Sequence, residues 1–147
     1  LDLLPTADAV ALRLAGPASA LQILAAEILA RFPSEILSAS AADALWSDLR
    51  ELRWTHADGS LLKLALTPSQ LPTLAARVQA MSGRIHVSAG GNAALVSLPA
   101  PATSLGLTAL NLRGPGPLWL DSPPAPAITA AVKTALDPRN RFPSLAA

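Results

Sequence analysis

The amino-acid sequence predicts an α+β domain, an antiparallel sheet with helices packed on one face, followed by a C-terminal helix and an irregular tail. Three observations lead there. Strand-helix-strand patterns occur twice, over 10–40 and 60–89. A Gly90-Gly91-Asn92 turn separates two strand-like runs, and a late helical pattern is stopped by Asp137-Pro138.

The first run, Val10 to Ala15, is apolar and closed by Gly16-Pro17, as expected of a strand that ends in a turn. Pro17 opens a helix in which Leu21, Leu24, Ile28 and Phe32 recur at spacings of three and four, and Pro33 stops it. Glu35 to Ser40 is expected to return as a brief strand. From Ser40 or Ala41 a second helical pattern places Leu45, Trp46, Leu49 and Leu52 among polar neighbours and ends at Trp54-Thr55-His56. Asp58-Gly59 then turns the chain. Ser60 to Leu66 is the next strand. Thr67-Pro68-Ser69 enters a helix whose stripe is Leu71, Leu74, Ala75 and Val78, and Gly83 ends it. Arg84 to Ala89 and Ala93 to Leu98 form a hairpin across the glycine turn. Paired split βαβ units of this kind make a ferredoxin-like arrangement. Leu105 to Arg113 and Leu118 to Asp121 read as further strands, the first with a helical alternative. The proline-rich stretch 122–126 is an extended connector to a helix over 127–136.

Composition narrows the chemistry. Of 147 residues, 31 are Ala and 28 are Leu, while only 14% are charged and the net charge is +1, so the basic footprint of a nucleic-acid binder is missing. With no Cys there is no disulfide, no thiolate metal site and no Cys nucleophile. The longest stretch free of Asp, Glu, Lys and Arg, Ile85 to Leu112, is broken by His86, Gly90, Gly91, Asn92, Pro99 and Pro101, which hydrocarbon does not tolerate, so no membrane span is expected. The start of the chain has neither the basic flank nor the cleavage site of a secretory leader, which makes a cytoplasmic or membrane-peripheral location the expectation. Leu1 opens the sequence and Met81 is its single methionine. A piece of a longer protein is therefore expected.

Few side chains carry reactive groups. His56 lies at a helix end, where the dipole favours an imidazole. His86 lies mid-strand between Ile85 and Val87 and shares its face with Arg84, two residues away. If Ile85 and Val87 face the helices, Arg84 and His86 face away from them. Gly90-Gly91 is not followed by a helix and is not a phosphate loop. The sequence has no G-x-S-x-G elbow, no H-E-x-x-H and no acidic cluster with metal-ligand spacing, so no metal site is expected.

The C-terminal segment is the most informative. Lys133, Leu136, Asp137, Pro138, Phe142 and Pro143 fit the pattern K-x-x-[FL]-D-P followed by F-N-P-G, which closes the FAD-linked oxidases of the vanillyl-alcohol oxidase type. The chain resembles the C-terminal cap domain of that family, and within it the FAD-binding subunits of bacterial glycolate oxidases. The same order of landmarks continues upstream: a V-x-L-R-L-x-G-P strand-turn at Val10 to Pro17, a tryptophan-bearing helix with Trp46 and Trp54, an L-x-L-x-P-S-x-L-P junction at Leu64 to Pro72, and the Gly90-Gly91 hairpin. Each motif is weak alone. Their shared order spans nearly the whole chain. The family's asparagine before the last proline is absent, because Phe142 runs directly into Pro143-Ser144, and whether Asn140 substitutes for it stays open.

The resemblance implies a division of labour. A preceding domain of the p-cresol methylhydroxylase type holds FAD, and the cap, here residues 1–147, covers the flavin face where a small 2-hydroxy acid binds. The cap alone is then expected neither to bind FAD nor to oxidise substrate. Residues 122–147, the connector, helix and tail, are expected to face the flavin domain. The parent would pair with a second FAD-linked subunit and an iron–sulfur subunit to convert glycolate to glyoxylate, in the cytoplasm or at the periphery of the inner membrane. A 2-hydroxy acid needs a cation for its carboxylate and a base for its hydroxyl proton. The available cations are Arg53, Arg84, Arg113, Arg139 and Arg141, and the available bases are His56 and His86. This leaves two candidate surfaces: the strand face of Arg84 and His86, and the cofactor-facing tail of Arg139, Asn140, Arg141 and Phe142. The alternative is a non-catalytic ferredoxin-like module that binds a ligand or a neighbouring subunit.

Overall fold

The computed structural model describes residues 1–6, 8–102, 104–121 and 125–141. It is an α+β fold built on one antiparallel sheet. Seven strands, β1 (Asp2–Leu3), β2 (Val10–Ala11), β3 (Ser60–Ala65), β4 (Arg84–Ser88), β5 (Ala93–Leu98), β6 (Ala109–Arg113) and β7 (Trp119–Leu120), lie in the order β2-β1-β4-β5-β3-β6-β7. The four α-helices are α1 (Ala18–Arg31), α2 (Ala39–Arg50), α3 (Leu71–Ala80) and α4 (Pro126–Leu136).

The second of the two expected strand-helix-strand units is formed. Strands β3 and β4 both run antiparallel to β5, which lies between them, so β3-α3-β4 is a split βαβ unit with β5 filling the gap. Thr67 and Gln70 start the helical segment, the Gln70 Oε1 accepting from the Thr67 N–H at 2.7 Å, one arm of a capping box. On α3, Leu74 and Val78 are buried, and they share one cluster with Leu62, Leu64, Ile85, Val87, Val96 and Leu98 from the facing strands. The strict alternation of β4 puts Ile85 and Val87 in that core. Asn92 follows the turn at Gly90 (φ 66) and Gly91 (φ 92), and β5 then pairs back in register, Ser88 opposite Ala93 and Arg84 opposite Ser97.

The first unit differs from expectation. Val10 to Ala15 yields only the two-residue β2, whose partner is β1, a strand that two residues of sequence cannot announce. Over 35–40 there is no strand: the chain is extended and exposed up to Ser38, whose side chain accepts from the Ala41 N–H at 3.3 Å and caps α2. A cap satisfies an orphan helix donor locally, whereas Ile36 and Leu37 find no strand to pair with. Helix α1 exists as expected but buries no residue completely. Leu21 and Ile28 are half-buried, and Leu24 and Phe32 of the expected stripe are exposed together with Ile23 and Leu29. Its sequence is apolar almost all round, so the three-four spacing does not single out an inner face. The strands expected over 105–113 and 118–121 shorten to β6 and β7, with Leu105 buried in the core ahead of β6. The proline connector at 122–124 and the tail from Phe142 onward lie outside the described residues.

Candidate functional site

The face of the sheet opposite α3 gathers the polar groups. Register places Arg84 opposite Ser97, and Ser97 opposite Leu61 on β3, which in turn pairs with Arg113 on β6. Over this row lies the turn that follows α2. Arg84 Nη1 donates to the Trp54 carbonyl at 2.7 Å, and Arg113 Nη2 donates to the His56 carbonyl at 2.6 Å and to the Thr55 hydroxyl at 3.1 Å. Between them the His56 N–H donates to Ser97 Oγ at 2.8 Å. Two guanidinium groups from separate strands thus hold one turn by its main chain, in charge-assisted bonds stronger than neutral ones. Leu49, Trp54 and Leu61 are buried here, outside the main core cluster.

His86 faces the same side, as the alternation requires, but it is not open to solvent. Its side chain is 12% exposed, its Nε2 lies 3.3 Å from Asp2 Oδ1, and the Trp54 ring meets the imidazole edge-on at a centroid distance of 6.0 Å and an interplanar angle of 69°. Asp2 reaches it because Leu3 pairs with Val87, which places Asp2 on the face of His86. The contact lacks the alignment of a hydrogen bond. Trp54 Nε1 and His56 Nε2 are buried and without a partner among the described residues.

The candidates named from sequence are therefore distributed as follows. Arg84, His56 and His86 are brought to one face, with Arg113 beside them, but Arg84 and Arg113 already hold backbone carbonyls and His86 is covered. Arg53 is turned to Asp48 at 3.2 Å. Asp2 and Trp54 complete the cluster. Neither stands out in sequence as a site residue, although Trp54, as a large aromatic next to a turn, carries the only signal of the two.

The second candidate surface is the end of α4. Lys133 pairs with Asp137 one turn on, and its Nζ also donates to Asn140 Oδ1 at 3.0 Å. Asp137 Oδ1 accepts the Arg141 N–H at 2.8 Å, and its carbonyl accepts the Asn140 N–H at 3.0 Å. The K-x-x-L-D-P motif is thus a helix stop that fixes the direction of the chain after it and leaves Arg139 and Arg141 exposed. Phe142 lies outside the described residues. Along α4, Ile128, Val132 and Leu136 are exposed at i, i+4 and i+8, one face of the helix.

Among the described residues there is no group of three His, Cys, Asp or Glu side chains with the geometry to hold a metal, and no helix is long and apolar enough to cross a membrane. The Gly90-Gly91 turn leads into β5, so its amides are not backed by a helix N-terminus. No protein family, curated protein sequence or solved structure matches the chain.

Proposed function

We propose that this chain is the cap domain of an FAD-dependent 2-hydroxy-acid oxidoreductase of the vanillyl-alcohol oxidase type, in the FAD-binding subunit of a glycolate oxidase. The observation that carries the reading is the terminal segment. Lys133 and Asp137, the polar pair of the K-x-x-L-D-P motif, hold each other and orient Asn140 and Arg141, so the segment closes α4 and sets the course of the chain after it, which supports the reading. The exposed apolar residues of α1 and α4 are the kind of surface that a neighbouring domain covers. In this reading the flavin and its hydride chemistry belong to the preceding domain, and the cap supplies substrate contacts and excludes water. The second FAD-linked subunit and the iron–sulfur subunit are the partners that the reading implies.

A second reading is supported by the hydrogen bonds of the sheet face. Because Arg84 and Arg113 are engaged by backbone carbonyls, the domain can serve as a subunit-interaction module while turnover occurs elsewhere. Both readings are tested on the longer protein that includes the sequence preceding Leu1. The cap reading expects bound flavin that bleaches anaerobically on addition of glycolate, and a clear loss of turnover for Arg139→Ala with Arg141→Ala. Flavin that bleaches normally in that double variant favours the interaction module, and a longer protein without flavin overturns both the oxidase and its cap.

A further inference from the structure

A cleft of about 220 Å³ lies on the α3 side of the molecule, between that helix and the segment that precedes β6. We infer that it is a binding site for a small monocarboxylate with a short apolar body, independent of the function proposed above. Its floor is apolar: Leu74 and Leu105 are almost wholly buried, and Leu107 packs against the same core. Its polar side chains are the Ser69 and Thr73 hydroxyls, the Gln70 amide and the Arg77 guanidinium. Gln70, in the turn that enters α3, and Thr73 and Arg77 on the helix follow one another at helical spacing along one side, and no Asp or Glu lines the cleft.

Two features fix the sign of the ligand. The Gln70 side-chain oxygen already accepts from the Thr67 N–H at 2.7 Å and lies 3.1 Å from the Thr67 hydroxyl, which leaves the amide NH₂ as the free end. Arg77 Nη1 donates to the Leu105 carbonyl at 2.6 Å, which holds the guanidinium across the cleft wall, yet Arg77 makes no ion pair among the described residues. The remaining guanidinium donors have no carboxylate to satisfy them. Gly106, at φ +72, is what admits the guanidinium, since a Cβ there would stand 2.0 Å from Nη1. A positive planar fork with a free amide beside it and leucines beneath it recognises a carboxylate whose alkyl tail lies on the floor. The cleft is smaller than the ~300 to 1,000 Å³ of a drug-sized pocket, so the ligand has fewer than about ten heavy atoms.

The test is a titration of the isotope-labelled chain by NMR with sodium hexanoate, and in parallel with inorganic phosphate, to the same low-millimolar concentrations. Hexanoate should shift the amides of residues 69–77 and 105–107 saturably, and phosphate should shift them at least about tenfold less effectively. Gln70→Glu keeps the oxygen that Thr67 uses but replaces the free NH₂ by a charged oxygen, so it should weaken hexanoate at least about tenfold while the spectrum of the fold is retained. Absence of saturable shifts with hexanoate, equal binding of phosphate, or unchanged binding by a folded Gln70→Glu variant each overturns the inference. If Gln70→Glu does not fold, Thr73→Glu, at a residue with no described structural bond, places the same charge in the cleft and is read in the same way.

Discussion

Trp54 should be the main apolar anchor of the turn that crosses the sheet, and truncating it measures that directly. The side chain is 9% exposed, so about nine-tenths of its surface is removed from water. An aromatic of this size buries roughly 200 Å², which at about 25 cal/mol per Å² corresponds to 4 to 5 kcal/mol, within the range of ~3 to 5 kcal/mol for such truncations. Trp54→Ala is therefore expected to cost about 4 kcal/mol. Trp54→Phe behaves differently for a stated reason. It gives up about 1 kcal/mol of apolar contact but also removes Nε1, a buried donor with no partner, whose burial costs about 1 to 3 kcal/mol. Its net change should lie within about 1 kcal/mol of zero. The assay is urea unfolding followed by far-ultraviolet circular dichroism, which does not depend on the tryptophan signal, with m-values compared so that a change in the denatured state is recognised. A second readout is the His86 ring protons, whose shifts should move in Trp54→Ala because the two rings meet edge-on. A Trp54→Ala loss below about 1.5 kcal/mol would refute the anchoring role. A Trp54→Phe loss of about 2 kcal/mol would show that Nε1 is hydrogen-bonded.

Three further outcomes are expected. Gly59→Ala should cost more than about 3 kcal/mol in the same unfolding assay, because its Cβ would stand 1.9 Å from the Leu98 carbonyl oxygen and push apart the end of the β3 and β5 pairing. Asp137→Ala removes the acceptor of both the Lys133 ammonium and the Arg141 N–H, so hydrogen exchange at the last turn of α4 should accelerate, with a loss of about 1 to 2 kcal/mol in local protection. Asp2→Asn keeps the shape but removes the charge beside His86. It should lower protection of the Leu4 and Ile85 amides, which bond to Ala9 and Pro5, by about 1 kcal/mol or less, and leave the β3 and β5 amides unchanged.

What was legible in the sequence follows the range of the interactions. The β3-α3-β4 unit and its hairpin could be read because every signal is local: a cap at Thr67, a three-four stripe through Leu74 and Val78, alternation through Ile85 and Val87, and two glycines at the turn. The common face of Arg84 and His86 could be read from a period of two. Their partners could not. Asp2 arrives from the first strand of the chain, far from His86 in sequence but beside β4 in the sheet, and Trp54 from thirty residues upstream of Arg84 through a carbonyl that any residue would present. The exposed apolar sequence of α1 and the absent strand at 35–40 share a different cause. Apolar residues indicate what is able to be buried, but only available neighbours decide what is buried. At the end of α4, the spacing of four between Lys133 and Asp137 announces an ordinary helical pairing.

The turn at 54–56 is held by two main-chain oxygens, one amide and the Thr55 hydroxyl, while the identity of His56 contributes little to the bonds that fix it. Arg84, Ser97 and Arg113 form a socket that grips the backbone of the turn behind the fixed Trp54 anchor, so position 56, held only through its own amide and carbonyl, is where a side chain can be exchanged, by selection or by design, without renegotiating the fold beneath it.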